Sequence, residues 1–496
     1  MVLFRYLITF LFLLLLFPAL AQGPAQPVRL ELPLDMEATD AEVIALPDSS
    51  LLVYYRVSNT WQTEASYNFS KFNHELEQVW SDTVNIAANS YYIRHYTEAP
   101  YTYFVFGEDD LQEYTFVKLN NKTGQLQHSH YELEPIDAVY EFNVLKGNYF
   151  VIGRNKKEKR PVLLHVNTST KKVQLLPSVY GEESTFSDLL ADPAQGRIYA
   201  VLSESNGRIS RLQVKSFDAY GRLLNNRFIL QQEDKTLLNA EITPGDSSQK
   251  MLFGTYGARD LRYNQGFFTT PVNTTMVDEE GNFYSMTQLE NFFKYLKPRQ
   301  EERTRRREAA RLKSGKGPGY RYRLLLHDLI PFPDGYVMAA EVYYPQYRSS
   351  SSNWGLDRSF SLGRQEEAYK RTHVVVLGFT KEGRLLWDNA FPLKDVASYQ
   401  LVHTVEVGRL PDGRVVVAYP KEEKIIYHIM DGSKFREEET ELEILTYEEN
   451  EKIQATFSPG IIRWYGDNFV AFGFQRIKPK AEASRTIFYL NKITFD

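Results

Sequence analysis

The sequence predicts an all-β fold: a ring of eight four-stranded antiparallel sheets, with seven as the alternative count. The ring is closed by an N-terminal strand and interrupted by a short helical insertion. Three observations lead there. The composition is that of strands, with 33 Tyr and 31 Phe beside many Val, Ile and Thr in short runs. A hairpin of one shape recurs along the whole chain. One strand near the N-terminus, "VRLELPL" (28–34), has no hairpin partner of its own.

The recurring hairpin is a short apolar run, a turn signal, then a longer apolar run. It occurs at 42–57 ("EVIALPDSSLLVYYRV"), 92–107, 141–153, 188–203, 240–257, 327–342, 405–420 and 460–474. Three of the eight turns carry Pro-Asp followed by Gly or Ser. Pro fixes φ and Gly tolerates positive φ, so such residues close tight turns. A second hairpin often follows the first, most clearly "VVVLGFTKEGRLLWDNAF" (374–391) and "LQVKSFDAYGRLLNNRFI" (212–229). Weaker copies stand at 67–84, 114–131 and 162–177.

Two hairpins in series make a four-stranded unit, and the units start 47 to 55 residues apart except near two insertions. In period and pattern the chain resembles β-propellers, whose blades are four-stranded sheets repeating about every 40–50 residues. The resemblance implies a propeller fold and nothing about a ligand. The Trp-Asp ending, the kelch glycine pair and the sialidase Asp box are absent from the sequence. The chain ends in "RTIFYLNKITFD", enough for a third strand of the last blade. Residues 28–34 are therefore expected to supply the fourth and close the ring, leaving no open edge at the seam. The competing architecture, two separate β-sandwiches, fits the regular spacing poorly.

Residues 1–21, "MVLFRYLITFLFLLLLFPALA", read as a secretory signal ending in Ala-Leu-Ala. The apolar run is short for a membrane span of about 20 residues. An uncleaved anchor is the alternative. The expected location is thus periplasmic or extracellular, with residues 22–496 forming one propeller domain. The absence of Cys excludes lipid attachment at a cysteine, thiol catalysis and disulfides. No other stretch reads as a membrane helix. A net charge of −5 argues against a general nucleic-acid binder.

Two stretches break the repeat. The first, 286–321, opens with "TQLENFFKYL", whose Thr287 and Glu290 have capping-box spacing and whose Leu289, Phe292, Phe293 and Leu296 form one apolar stripe. A short helix packed on the ring is expected there. Pro298 then starts a second helix with almost no apolar face, ended by "SGKGPG". Residues 292–317 hold ten Lys or Arg against three Glu. The second insertion, 343–373, is rich in Ser and aromatic residues. It links strands two and three of the sixth blade, while the first insertion links blades five and six. Within a propeller both links emerge on the same face, where loops on a rigid scaffold commonly carry function.

The candidate binding residues are accordingly Arg303, Arg305, Arg306, Arg307, Arg311 and Lys313 on the basic arm and Tyr344, Tyr347, Arg348 and Trp354 on the second loop. The arm suits an anionic partner, an envelope component or an acidic protein. The structural alternative is a solvated helix held on the chain's own acidic stretch 437–451, which carries eight Glu and no basic residue. The loop aromatics suit stacking on a sugar or peptide, or else packing on the first helix. His128 with His130, and His327 with Asp328, lack metal-ligand spacing. No nucleophile elbow, His-Glu-x-x-His or phosphate loop occurs, and no cofactor is called for. The sequence therefore reads as an exported, non-catalytic binding or scaffold module. The alternative is an exported glycan hydrolase or lyase that uses carboxylates in the central channel.

Overall fold

A computed structural model describes residues 23–495, apart from 35, 37–39, 58–62, 109–112, 159, 178–183, 206–209, 230–234, 246–248, 259, 274–282, 348–365, 436–438, 449 and 481–482. The chain is a β-propeller. Eight antiparallel sheets, each built on a four-stranded meander, follow one another in sequence order. Blade 1 starts at Ala41–Ala45, blade 2 at Tyr91–Glu98, blade 3 at Ile136–Leu145 and blade 4 at Thr185–Asp192. Blade 5 starts at Thr236–Ile242, blade 6 at Arg323–Leu326, blade 7 at Glu406–Arg409 and blade 8 at Lys452–Arg463. These first strands are innermost: those of blades 2, 3, 4 and 5 contact one another in turn, as do those of blades 7, 8 and 1.

Alternation along each strand sends side chains to both faces of its sheet, so every blade packs on two neighbours. Eight buried apolar clusters result, one at each blade–blade interface. The cluster between blades 8 and 1 joins Phe472, Phe488 and Leu490 to Val43, Leu51 and Phe72. Turns between strands three and four add a further contact. Gly124, Gly221 and Gly383 adopt φ of +77°, +78° and +82°. A Cβ there would collide with Trp80, His165 or Thr269 of the preceding blade. Glycine thus serves both the turn and the close approach.

The N-terminal strand closes the ring as expected. Arg29–Leu32 pairs antiparallel with the outer edge of Arg485–Thr494, with Leu30 opposite Leu490 and Leu32 opposite Phe488. The Arg29 guanidinium bonds Asn491 Oδ1 at 2.7 Å and Gln475 Oε1 at 2.9 Å, and Glu31 accepts from Arg485 at 2.9 Å. Among the described residues no helix is long and apolar enough to cross a membrane.

The first insertion departs from expectation at its start. Residues 286–296 form a series of turns, not a helix. The N–H groups of Glu290 and Asn291, which a capped helix would direct at the Thr287 side chain and carbonyl, donate to the Asp388 carboxylate of blade 6 at 2.9 and 2.7 Å. Ser285 N–H donates to Gln288 Oε1, and the Thr287 hydroxyl meets Ser285 Oγ, so the capping box does not form. The apolar stripe still packs on the ring: Leu289, Phe292 and Phe293 are buried. The second helix, α1 (Pro298–Lys313), begins at Pro298 as expected and ends at Ser314 and Gly315.

Candidate functional site

The first insertion and the described strand ends of the second lie together at one end of blade 6. Tyr295 stacks flat on the His373 ring at 3.7 Å, and its hydroxyl meets that of Tyr322 at 2.8 Å. His373 belongs to the strand that returns from the second insertion, Glu366–Thr380. The first insertion therefore packs its aromatic side chains on the strand that follows the second.

The basic residues of α1 divide into fasteners and free cations. Arg305 is a fastener: its guanidinium bonds Glu301 at 2.8 Å and the carbonyls of Leu289 and Glu290, and lies 5.1 Å from the Phe293 ring centre. Arg311 donates to the Gly317 carbonyl. Glu308 is fully buried and accepts from Gly319 N–H at 2.7 Å, so the segment after α1 folds back over it. Arg306 is exposed and pairs with Glu302, and Arg307 stands 3.5 Å from Glu308. Arg303 and Lys313 are exposed and make no ion pair among the described residues. Among the described residues no ion pair joins the acidic stretch 437–451 to the arm: Glu439 pairs with Lys394, Glu441 with Lys424, and Glu451 with Arg485.

On the second insertion Tyr344 is 42% exposed. Tyr347 ends the strand Gly335–Tyr347, and Arg348 and Trp354 lie outside the described residues. Beside this hairpin a cavity of about 540 Å³ opens between blades 4, 5 and 6. Arg262, Arg323 and Tyr343 are among its walls, with Ser184, Ser203 and Asn264.

A second constellation, which sequence reasoning did not single out, lies along the channel. The inner strands or their ends carry Glu42, Glu141, Asp188, Glu241, Asp328 and Glu406 from six blades, and Arg94 and Arg463 from the other two. Asp188 Oδ2 accepts from Ile242 N–H at 2.8 Å, tying blade 4 to blade 5, and Glu406 Oε1 accepts from Arg463 N–H at 3.2 Å, tying blade 7 to blade 8. Burial raises the Glu241 carboxyl well above its usual range, helped by the charges of Asp188, Asp328 and Glu141. Asp188 is raised for the same reasons, burial first. Burial also pushes Glu406 up to about 7. The channel thus gathers several carboxyls whose ionisation burial and neighbouring acids oppose. A signal existed in the sequence: an acidic residue stands near the head of most first hairpins, as in "EVIALPD", "EFNVLKG", "DLIPFPD" and "EVGRLPD".

Next to Glu406 the His327 and His403 rings stack at 4.0 Å. His327 Nε2 lies 3.1 Å from Glu341, which is buried against Arg371. Among the described residues no group of three His, Asp or Glu is placed to hold a metal ion.

No family model matches the chain, and no curated protein matches it. Solved structures match it at low identity. The polysaccharide lyase Uly1 is 6% identical with a TM-score of 0.41, over 81% of this chain and 89% of that one. The propeller domain of the Trilobed protease from Pyrococcus furiosus is 9% identical with a TM-score of 0.29, over 82% and 94%. Prolyl oligopeptidase B from Galerina marginata is 7% identical with a TM-score of 0.42, over 90% and 56%.

Proposed function

We propose that this chain is an exported propeller that works as a non-catalytic binding module, using the face that carries the two insertions to hold an anionic partner. The observation that supports this reading most directly is the state of α1. Arg305 and Glu308 fasten the helix, while Arg303 and Lys313 are exposed and have no counter-charge among the described residues. A fixed helix with unpaired cations attracts anions without first having to order itself. The partner class is an anionic glycan or an acidic protein surface.

The test is retention of the protein on an immobilised polyuronate at rising salt. Arg303→Glu and Lys313→Glu together are expected to reduce retention at least tenfold in low salt, with the melting temperature unchanged. Wild-type retention is expected to fade with salt, because exposed charges are screened beyond about 8 Å at physiological ionic strength. Retention that ignores both salt and the double change would remove the reading.

The channel favours a second reading, a glycan hydrolase or lyase working through its carboxyls. Its support is the cluster of Asp188, Glu241 and Glu141, whose charges act on one another. Turnover on a panel of neutral and acidic polysaccharides, abolished by Asp188→Asn or Glu241→Gln, is the outcome that would replace binding with catalysis.

A further inference from the structure

We propose that the cavity between blades 4, 5 and 6 is a saccharide subsite that takes an acidic sugar, one bearing a carboxylate or sulfate. This rests on the reading of the insertion face as the binding face and names the ligand class there. Its volume, about 540 Å³, lies inside the range of small-molecule sites, roughly 300–1,000 Å³.

The walls are rich in hydroxyl groups. Ser184, Ser203, Ser205, Ser210 and Asn264 line the cavity and are each at least nine-tenths buried. Burying polar groups away from water is unfavourable unless they find partners. Ser203 and Ser210 hydroxyls bond each other at 2.5 Å, but Ser184 Oγ and Asn264 Oδ1 have no partner among the described residues. A polyhydroxylated ring offers donors and acceptors of the kind these walls lack.

The anionic preference comes from the mouth. Arg262 and Arg323 both line the cavity, and with Arg321 they surround the Tyr263 ring at 5.5 to 5.8 Å. Asp260 bonds Arg262 at 2.8 and 2.9 Å. The Arg262 hydrogen bonds lead in holding the Asp260 carboxyl below its usual value. Arg323 has no carboxylate partner among the described residues, and its planar guanidinium is suited to a two-pronged bond with a carboxylate or sulfate. Tyr343, also in the wall, offers an apolar ring beside those polar groups, the mixture that sugars bind.

The experiment is titration of the full mature chain with glucuronate, glucose 6-sulfate, glucose and sodium sulfate, followed by saturation-transfer NMR and calorimetry. Both acidic sugars are expected to bind, with glucose and inorganic sulfate each at least tenfold weaker. Arg323→Gln and Asn264→Leu are each expected to weaken the acidic sugars at least tenfold. Ser184→Ala, a change small enough to leave packing intact, should weaken them by a few fold. Arg222→Gln, in an exposed turn of blade 4 remote from the cavity, is the control expected to change nothing. The proposal is overturned if neither acidic sugar binds, if glucose or sulfate alone binds as well, or if Arg323→Gln and Ser184→Ala both bind as the wild type does. The polyuronate column reads the arm separately. Salt-sensitive retention together with failed sugar titrations overturns the cavity and leaves the arm standing. Bound sugars without salt-sensitive retention uphold the cavity and remove the arm.

Discussion

Glu341 and Arg371 show how a single pair can weld two blades. Both side chains are fully buried, 3.1 Å apart. Glu341 also accepts from Thr404 N–H and Oγ1 at 2.7 Å and from Val405 N–H at 3.0 Å, so a carboxylate of blade 6 holds the entry to blade 7. Burial alone would raise this acid, but the hydrogen bond and charge of His327 and the bonds from Thr404 bring it down to about 2. Glu341→Ala strands a buried guanidinium and is expected to cost about 3–5 kcal/mol, read by guanidinium unfolding. A loss under about 1 kcal/mol would mean water replaces the carboxylate. The sign of the pH dependence follows. The acid is lowered from 4.5 to about 2, so its contribution is present above pH 4.5 and is lost as pH falls toward 2. Glu406 behaves oppositely, being raised from 4.5 to about 7. Its ionisation opposes folding, so the fold loses stability as pH rises from 4.5 through 7. Glu406→Gln is thus expected to raise the melting temperature at pH 8 relative to wild type and to have little effect at pH 4. An equal gap at the two pH values would show that the substitution acts through packing.

Among the elements, the hairpins were the most legible and the first insertion the least. Period-2 runs between turn residues define the strands because each strand must fill two interfaces, a demand written locally in the sequence. The stretch "TQLENFFKYL" has an equally clear helical stripe, yet Asp388, 98 residues from Glu290, captures the amide that would have begun the helix. No local pattern announces a distant acceptor. The charge of the arm was readable in the same way as the strands. The division of labour within it was not, because it depends on which carbonyls the turn segment leaves facing Arg305. The cavity and the channel acids were less legible still, since their walls come from several blades and meet only when the ring forms. One consequence can be measured. Arg305→Ala removes bonds to Glu301, Leu289 and Glu290, and is expected to cost about 1–2 kcal/mol and to speed amide exchange across 286–313. Arg303→Ala, which removes none, should leave both unchanged. Matching exchange in the two variants would mean the turn segment holds the helix without Arg305.

At the scale of the whole molecule, stability depends on closing a ring whose last blade is made from both ends of the chain. Seven blades take all their strands from consecutive sequence, but blade 8 takes three from Lys452–Thr494 and its outermost from Arg29–Leu32. Without that strand, Arg485–Thr494 would expose a long row of unpaired N–H and C=O groups, a template for pairing with other chains. Val28, Leu30, Leu32 and Leu34 would also leave the cluster that joins blade 8 to blade 1. These side chains are only partly buried, so each contributes less than the roughly 1.5–3 kcal/mol of a fully buried apolar side chain. Arg29 and Glu31 add bonds to Asn491, Gln475 and Arg485. Deleting residues 28–34 is therefore expected to cost several kcal/mol in all, lowering the melting temperature and shifting the chain toward concentration-dependent association. Adding back a synthetic peptide spanning 24–34 should restore much of the loss, because it can pair with the same edge. Should the truncated chain melt at the wild-type temperature and remain monomeric, the ring must be held by its eight apolar interfaces alone, and the terminal strand would be an edge cover and not a clasp.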